Sequence, residues 1–412
     1  MNVGTRTKPK DRLAIEGGEP IRAHSLPPWP HYTEVEIERV TDILRSGAVN
    51  YWTGREVRSF EEEFTRQLGR RFGIAVANGT VALELSLRSL QIGQGDEVIV
   101  TPRSFIASVS TVIQCGAVPV FVDVDRDSQN VSVETIEAAI TNRTRALLLV
   151  HLAGWPCDMV AIKHLANRYE LLVIEDCAQA HGASRAGKAV GSSGDVAAFS
   201  FCQDKIMTTC GEGGLLVTDD ESIWRSAWAY KDHGKSFSAV YETTGPTGFR
   251  WCHESIGSNF RMTEIQAAVG RIQLAKLDES VRARRRNADF LTDCFAKIEA
   301  LRVTTPAPEI HHSYYRYYVF VRPERLREGW TRDRVIQALE AEGVPCFSGS
   351  CPEIYREKAL LSAGYGPPER LPVARELGET SLSFLVHPTL DEEDMLDVCA
   401  ATSKIFRAAT KS

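Results

Sequence analysis

The chain has 412 residues, room for one large domain and a smaller one, and its 43% apolar and 25% charged residues are the balance of an ordinary globular protein. A net charge of −6, with no basic stripe interleaved with aromatics, argues against nucleic acid as the main partner. No apolar run is long enough to cross a bilayer, and ten scattered cysteines behind an N-terminus without an apolar signal segment predict a reduced, cytoplasmic protein.

Residues 1–30, rich in Gly, Pro and charge, read as an arm rather than a core element. Helical spacing runs from Thr33 to about Gly47, with Val35, Ile37, Val40, Ile43 and Leu44 expected on one side. Asn50–Gly54 reads as a loop carrying two exposed aromatics, Tyr51 and Trp52. A second amphipathic helix spans Ser59 to Leu68, with Phe60, Phe64 and Leu68 four apart. Phe72–Ala77 then reads as a strand, Asn78-Gly79-Thr80 as a turn and Val81–Leu90 as a helix. That order makes an anion site, because free backbone N–H groups and the positive helix end face one point. Gly79 permits close backbone approach, and Thr80 is expected to cap the helix and bond an oxygen.

Short apolar runs at Glu97–Thr101, Ala117–Val122 and Arg145–Val150 alternate with helical segments. The alternation predicts an α/β fold, a mainly parallel sheet with helices on both faces. His151, after the third run, reads as a satisfied structural histidine. Leu171–Ile174 is a further apolar strand, followed by Glu175, Asp176, Gln179 and His181. Acids just past a parallel strand sit where open α/β sheets bind ligands. Val196–Phe201 is the next buried run; it delivers Ser200 and, five residues on, Lys205 beside Ile206 and Met207. Desolvation among such neighbours is expected to lower the lysine's pKa, as Schiff-base chemistry with a carbonyl requires. A pyridoxal phosphate site needs such a lysine together with an anion that keeps the pyridinium nitrogen protonated, and Lys205 and Asp176 can fill those roles.

Downstream, Tyr230–Gly234 and Arg250–Glu254 read as polar loops, Glu264–Leu277 and Ser280–Ile298 as helices. Arg282, Arg284, Arg285 and Arg286 read as a solvated helix face, with a partner-subunit contact as the alternative. Tyr314–Val321 reads as an aromatic strand of a smaller domain. The expected organisation is an arm over 1–30, a large α/β domain over 31–284 and a small α+β domain over 285–412. The cysteine pairs Cys202/Cys210 and Cys346/Cys351 lack zinc-site spacing and histidine partners, so no metal site is expected.

Five pieces in order carry a resemblance: Asn78-Gly-Thr80, Glu175-Asp-Cys-Ala-Gln-Ala-His-Gly-Ala183, Ser200-Phe-Cys-Gln-Asp-Lys205, Gly211-Glu-Gly-Gly214 and Gly257-Ser-Asn-Phe-Arg-Met-Thr-Glu264. Together they resemble the sugar aminotransferases of the DegT/DnrJ/EryC1/StrS family, fold-type I pyridoxal-phosphate enzymes. The resemblance implies that Lys205 holds the cofactor as a Schiff base and relays the proton, and that Asp176 faces the ring nitrogen. It implies that Phe105 stacks on the ring, Gln179 flanks it, and Ser200, Gly79 and Thr80 bind the phosphate. It also implies a homodimer in which Asn259 reaches the phosphate of the partner subunit. The implied substrates are an amino donor, glutamate or glutamine, and a keto-sugar acceptor, nucleotide-linked, or a keto-cyclitol. The family's deoxysugar dehydratases resemble these proteins but replace the lysine with histidine; a non-catalytic binding homologue is the other alternative. Gly343–Cys351, where the family usually lines its substrate site, and Ser383–Pro388 depart from the commoner pattern, which leaves the acceptor's identity open.

Overall fold

The computed structural model describes residues 12–243 and 249–411. Seven strands form the central sheet: β1 (Phe72–Val76), β2 (Glu97–Val100), β3 (Val118–Phe121), β4 (Thr144–Val150), β5 (Leu172–Asp176), β6 (Val196–Ser200) and β7 (Gly214–Thr218). Their order across the sheet is β1-β7-β6-β5-β4-β2-β3. β7 pairs antiparallel with both β1 and β6, and every other pairing is parallel, so the predicted α/β fold with a mainly parallel sheet is what forms. Because side chains alternate along a strand, β6 and β7 feed two cores. Val196, Ala198 and Leu216 face the helices between the strands, while Ala197, Phe199, Leu215 and Val217 meet Phe60 and Phe64 on the other side.

The small sheet joins β8 (Leu301–Val303), β9 (Tyr317–Val321), β10 (Cys346–Phe347) and β11 (Ser381–Phe384), antiparallel throughout, in the order β8-β9-β11-β10. The expected boundary at residue 285 falls inside the helix Leu277–Phe295. Leu277 and Val281 pack with Phe199 of the large core, whereas Ala288, Leu291 and Phe295 pack in the small one. One rigid helix thus belongs to both cores.

Several local expectations are corrected. The segment read as an arm contributes Leu13 to the small core, where it is buried. The first helix spans Glu34–Ser46, but Val35, Ile37 and Leu44 are exposed; its buried contacts are Ile43 and Glu36. Glu36 accepts from Gln273 Nε2 at 2.9 Å and Lys276 Nζ at 2.8 Å, so an acid and not an apolar stripe ties this helix to Glu264–Ala275. Tyr51 is buried, with the Lys231 ammonium 3.8 Å from its ring centroid. No helix of the described residues is long and apolar enough to cross a membrane.

Candidate active site

The C-terminal ends of β1, β2, β5 and β6 lie along one edge of the sheet, and the predicted site residues follow from them. After β1 the helix begins at Gly79, and its cap is Asn78, whose Oδ1 accepts from the Val81 N–H at 3.1 Å. Thr80 therefore lies in the first turn and is not the cap, as the sequence reading had it. A Cβ on Gly79 would stand 2.5 Å from Ser200 Cβ and 2.9 Å from its Oγ. Only glycine lets the β1 turn close on the end of β6, and this contact joins Gly79 to Ser200. Gly214 is required on the same ground, since a Cβ there would meet the Asn78 carbonyl oxygen at 2.3 Å.

Asp176 is the last residue of β5 rather than a residue beyond it, because the strand runs on through Glu175. It is 3% exposed. Its Oδ2 accepts from Ser108 Oγ at 2.8 Å and its Oδ1 from the Ala178 N–H at 3.1 Å. Burial raises its pKa above the usual carboxylate range, and the Ser108 and Ala178 bonds, with the Lys205 charge, only partly offset this. Ser108 in turn lies 3.0 Å from Ser104 Oγ, and Phe105, 66% exposed, stands three residues before Ser108 at the head of the helix Ala107–Gln114. Glu175 points the other way. It accepts from the N–H groups of Gly191, Ser193 and Gly194 at 2.6–2.9 Å and pairs with His151 Nε2 at 3.0 Å. His151 Nδ1 accepts from the Cys157 N–H, so both ring nitrogens are engaged and the reading of a satisfied structural histidine holds. Gln179, buried, accepts from the Ala153 N–H at 2.8 Å.

Lys205 follows β6 in a turn. Its carbonyl accepts from Trp29 Nε1 at 2.9 Å, and its Nζ donates to Tyr315 Oη at 3.4 Å and lies 3.4 Å from Asp204 Oδ1. Tyr315 donates in turn to Asp204. The expected lowering of the lysine's pKa is overturned. Burial is the largest single influence and lowers it, but attraction to Tyr315 and Asp204 together raises it. Tyr315 is itself pushed up by burial and so is uncharged near neutrality, which leaves Asp204 as the attracting charge. His181 is buried between Phe199 and Phe201, and neither ring nitrogen has a partner among the described residues. Burial, then the charges of Lys205 and Arg284, pull its pKa down to about 3.

Thus Lys205, Asp176, Ser200, Gly79 and Thr80 come to one edge, with Phe105 and Gln179 beside them. Asn259 is exposed, and the neighbouring Phe260 carbonyl accepts from the Ala77 N–H at 2.8 Å, which lays its segment along the end of β1 in the same chain. Asn259 does not cap the helix that follows, because Thr263 is the cap and forms a capping box with Gln266. Sequence reasoning missed Ser108, Asp204, Tyr315 and Trp29. Ser108 could have been found one helical turn past Phe105; Tyr315 was hidden in an aromatic run assigned wholly to a strand.

These residues fit pyridoxal phosphate. Among the described residues, the amine of Lys205 is shielded yet free of a bidentate acid and Asp176 is a buried carboxylate with no cationic hydrogen-bond partner, and the Gly79–Ser200 approach has no room for a larger residue. The model of the DegT/DnrJ/EryC1/StrS aminotransferase family matches residues 30–403. The GDP-perosamine synthase of Escherichia coli O157:H7 is 34% identical, covering 92% of this chain and 97% of that protein. The L-glutamine:2-deoxy-scyllo-inosose aminotransferase of Streptomyces fradiae is 35% identical over 96% of this chain and 97% of its own length. A solved aminotransferase from Psychrobacter cryohalolentis is 51% identical and superimposes with a TM-score of 0.91, covering 93% of this chain and 99% of that one. The chain belongs to the DegT/DnrJ/EryC1/StrS aminotransferase family and is a pyridoxal-phosphate-dependent aminotransferase of fold type I.

Proposed function

We propose that the protein transfers an amino group from glutamate or glutamine to a keto-sugar, nucleotide-linked, or to a keto-cyclitol. The names of the two curated relatives support that substrate class. The observation that carries the reading is the placement of Lys205 Nζ, backed by Tyr315 and Asp204, at the same sheet edge as the buried Asp176. When bound, the cofactor supplies an electron sink for the charge left on the donor's α-carbon. Lys205 Nζ would take the proton from the donor's α-carbon and deliver it to the cofactor's C4′ carbon within the first half-reaction, and would move a proton from that carbon to the acceptor's carbon in the second. Asp176, fixed by Ser108 and the Ala178 N–H, keeps a proton on the ring nitrogen. Gly79, Thr80 and Ser200 bind the phosphate, while Phe105 and Gln179 cover the ring.

The proposal includes a homodimer in which Asn259 serves the partner subunit's phosphate. Incubating the holoenzyme with L-glutamate and L-glutamine, then with a panel of nucleotide keto-sugars and keto-cyclitols, tests the reading. The cofactor absorbance should shift with a donor, and amine product should appear with a member of the panel. A protein that binds the cofactor but shows neither change would refute it.

A further inference from the structure

Arg284 is expected on a solvated helix face, but the structure buries it at 1% exposure, while Arg282 and Arg286 on the same helix stay in solvent. Its guanidinium lies under the Trp29 ring, 5.1 Å from the centroid, and its Nη1 donates to the carbonyls of Tyr314 and Tyr315 at 3.4 and 3.3 Å. Among the described residues, Arg284 Nε and Nη2 have no hydrogen-bond partner, and neither does the buried Nη1 of Arg316. Both arginines line one cavity of about 240 Å³, together with Trp29, Asp204, Tyr315 and His387 among others. Tyr315 and Asp204 are also the two groups that hold Lys205 Nζ.

The charges in this cavity do not balance. Two guanidiniums face one carboxylate, Asp204, which already accepts from Tyr315 and pairs with Lys205. His387 adds no compensation: its Nδ1 is engaged with Thr389 Oγ1 at 2.8 Å, and burial followed by the two arginines keeps it neutral. Burial and the Arg316 charge pull Arg284 down to about 9, as expected for a cation lacking its counter-ion. Buried guanidinium N–H groups left unpaired are costly and rare, and the planar fork of an arginine matches a carboxylate.

We propose that the Arg284–Arg316 cavity binds a carboxylate of the amino donor, an inference that rests on the aminotransferase reading with glutamate or glutamine as donor. The donor must bring its α-carbon to Lys205 Nζ, so its carboxylate has to find a cation among the neighbours of that amine. The cavity adjoins Lys205 through Tyr315 and has room for the end of an amino acid.

Calorimetric titration of the holoenzyme with glutarate, a dicarboxylate with no amine to react, reads the cavity without turnover. Arg316→Gln, at the cavity's rim, should weaken glutarate binding by about 10- to 100-fold, the scale of one lost charged hydrogen bond. It should raise the half-saturating glutamate concentration by the same factor, leave the affinity for pyridoxal phosphate unchanged, and be partly rescued by Arg316→Lys. Arg284→Gln, if it folds by circular dichroism, should act likewise; Arg316→Gln carries the test if it does not. Equal glutarate affinity in the wild type and Arg316→Gln, or no binding by the wild type, overturns the proposal. A wild type that binds glutarate while glutamate and glutamine leave the cofactor absorbance unchanged refutes the donor assignment and keeps the carboxylate site.

Discussion

Lys205 and Asp176 are held by different means, and their substitutions should fail differently. Lys205 is held protonated by its attraction to Asp204, so its amine is stored rather than primed. Lys205→Ala should leave turnover below about one part in a thousand of wild type, the scale of a lost acid–base group. Single-turnover product analysis checks this, and substantial residual rate would assign the proton transfer elsewhere. Asp176→Asn should keep the cofactor weakly and lose most of the rate, since a neutral amide cannot hold a proton on the ring nitrogen. Stopped-flow absorbance after mixing with donor should show slowed cofactor conversion; an unchanged trace means another group faces that nitrogen.

At the level of elements, the site depends on close joints between helices and strands. Gly79→Ala would force a methyl into Ser200, which either moves the β1 turn or the end of β6. Overpacking of this kind costs about 1–3 kcal/mol, so pyridoxal phosphate should bind about tenfold more weakly in a fluorescence titration of the apoprotein. A second joint lies behind it. The helix Glu56–Leu68 has no side-chain cap of its own; the buried Glu264 carboxylate, from the head of another helix, accepts from the Glu56 N–H at 2.6 Å. Glu264→Gln keeps the shape and removes the charge at a helix N-terminus, and should lower stability in urea by about 1 kcal/mol. Equal midpoints for the two proteins would show that the charge contributes nothing there.

For the whole molecule, assembly and acid stability are the quantities to measure. Mixing Lys205→Ala chains with Asn259→Ala chains, each poorly active alone, should restore activity if Asn259 serves the partner subunit's site, because one site of the heterodimer then has both residues intact. No recovery from proven heterodimers would put Asn259 in its own chain's site, beside the Ala77 to which its segment is already bonded. Acid sensitivity follows from His181, His312 and His387, each pulled down to about 3 chiefly by burial. A histidine whose folded pKa is depressed contributes stability that is present above its unfolded value near 6.5 and is lost as pH falls toward 3. His181→Leu should therefore shrink the stability difference between pH 7.5 and pH 5 by about 2 kcal/mol, measured by urea unfolding. An unchanged difference would mean that His181 is already protonated or solvated when folded.

What the sequence determined by itself was whatever depends on local order along the chain. Strand, small-residue turn and helix at Phe72–Leu90, and the short apolar runs ending at Asp176 and Ser200, follow from periodicity and turn chemistry. The parallel sheet follows from their alternation, and the five motifs in order name the family. Tertiary structure decided whatever depends on which side of an element meets another part of the chain. Val35, Ile37 and Leu44 have helical spacing yet face outward, because Glu36 is the residue that Gln273 and Lys276 draw inward. Arg284 sits in a run of arginines that looks like a solvated face, and only the packing of Trp29 and Tyr315 around it makes it a buried cation. The sign of the Lys205 shift was also beyond the sequence: its apolar neighbours are local, but Tyr315 comes from 110 residues away and fixes the Asp204 side chain beside the amine. Electrostatic balance at a buried group is set by through-space partners, and those exist only once the fold has brought them together.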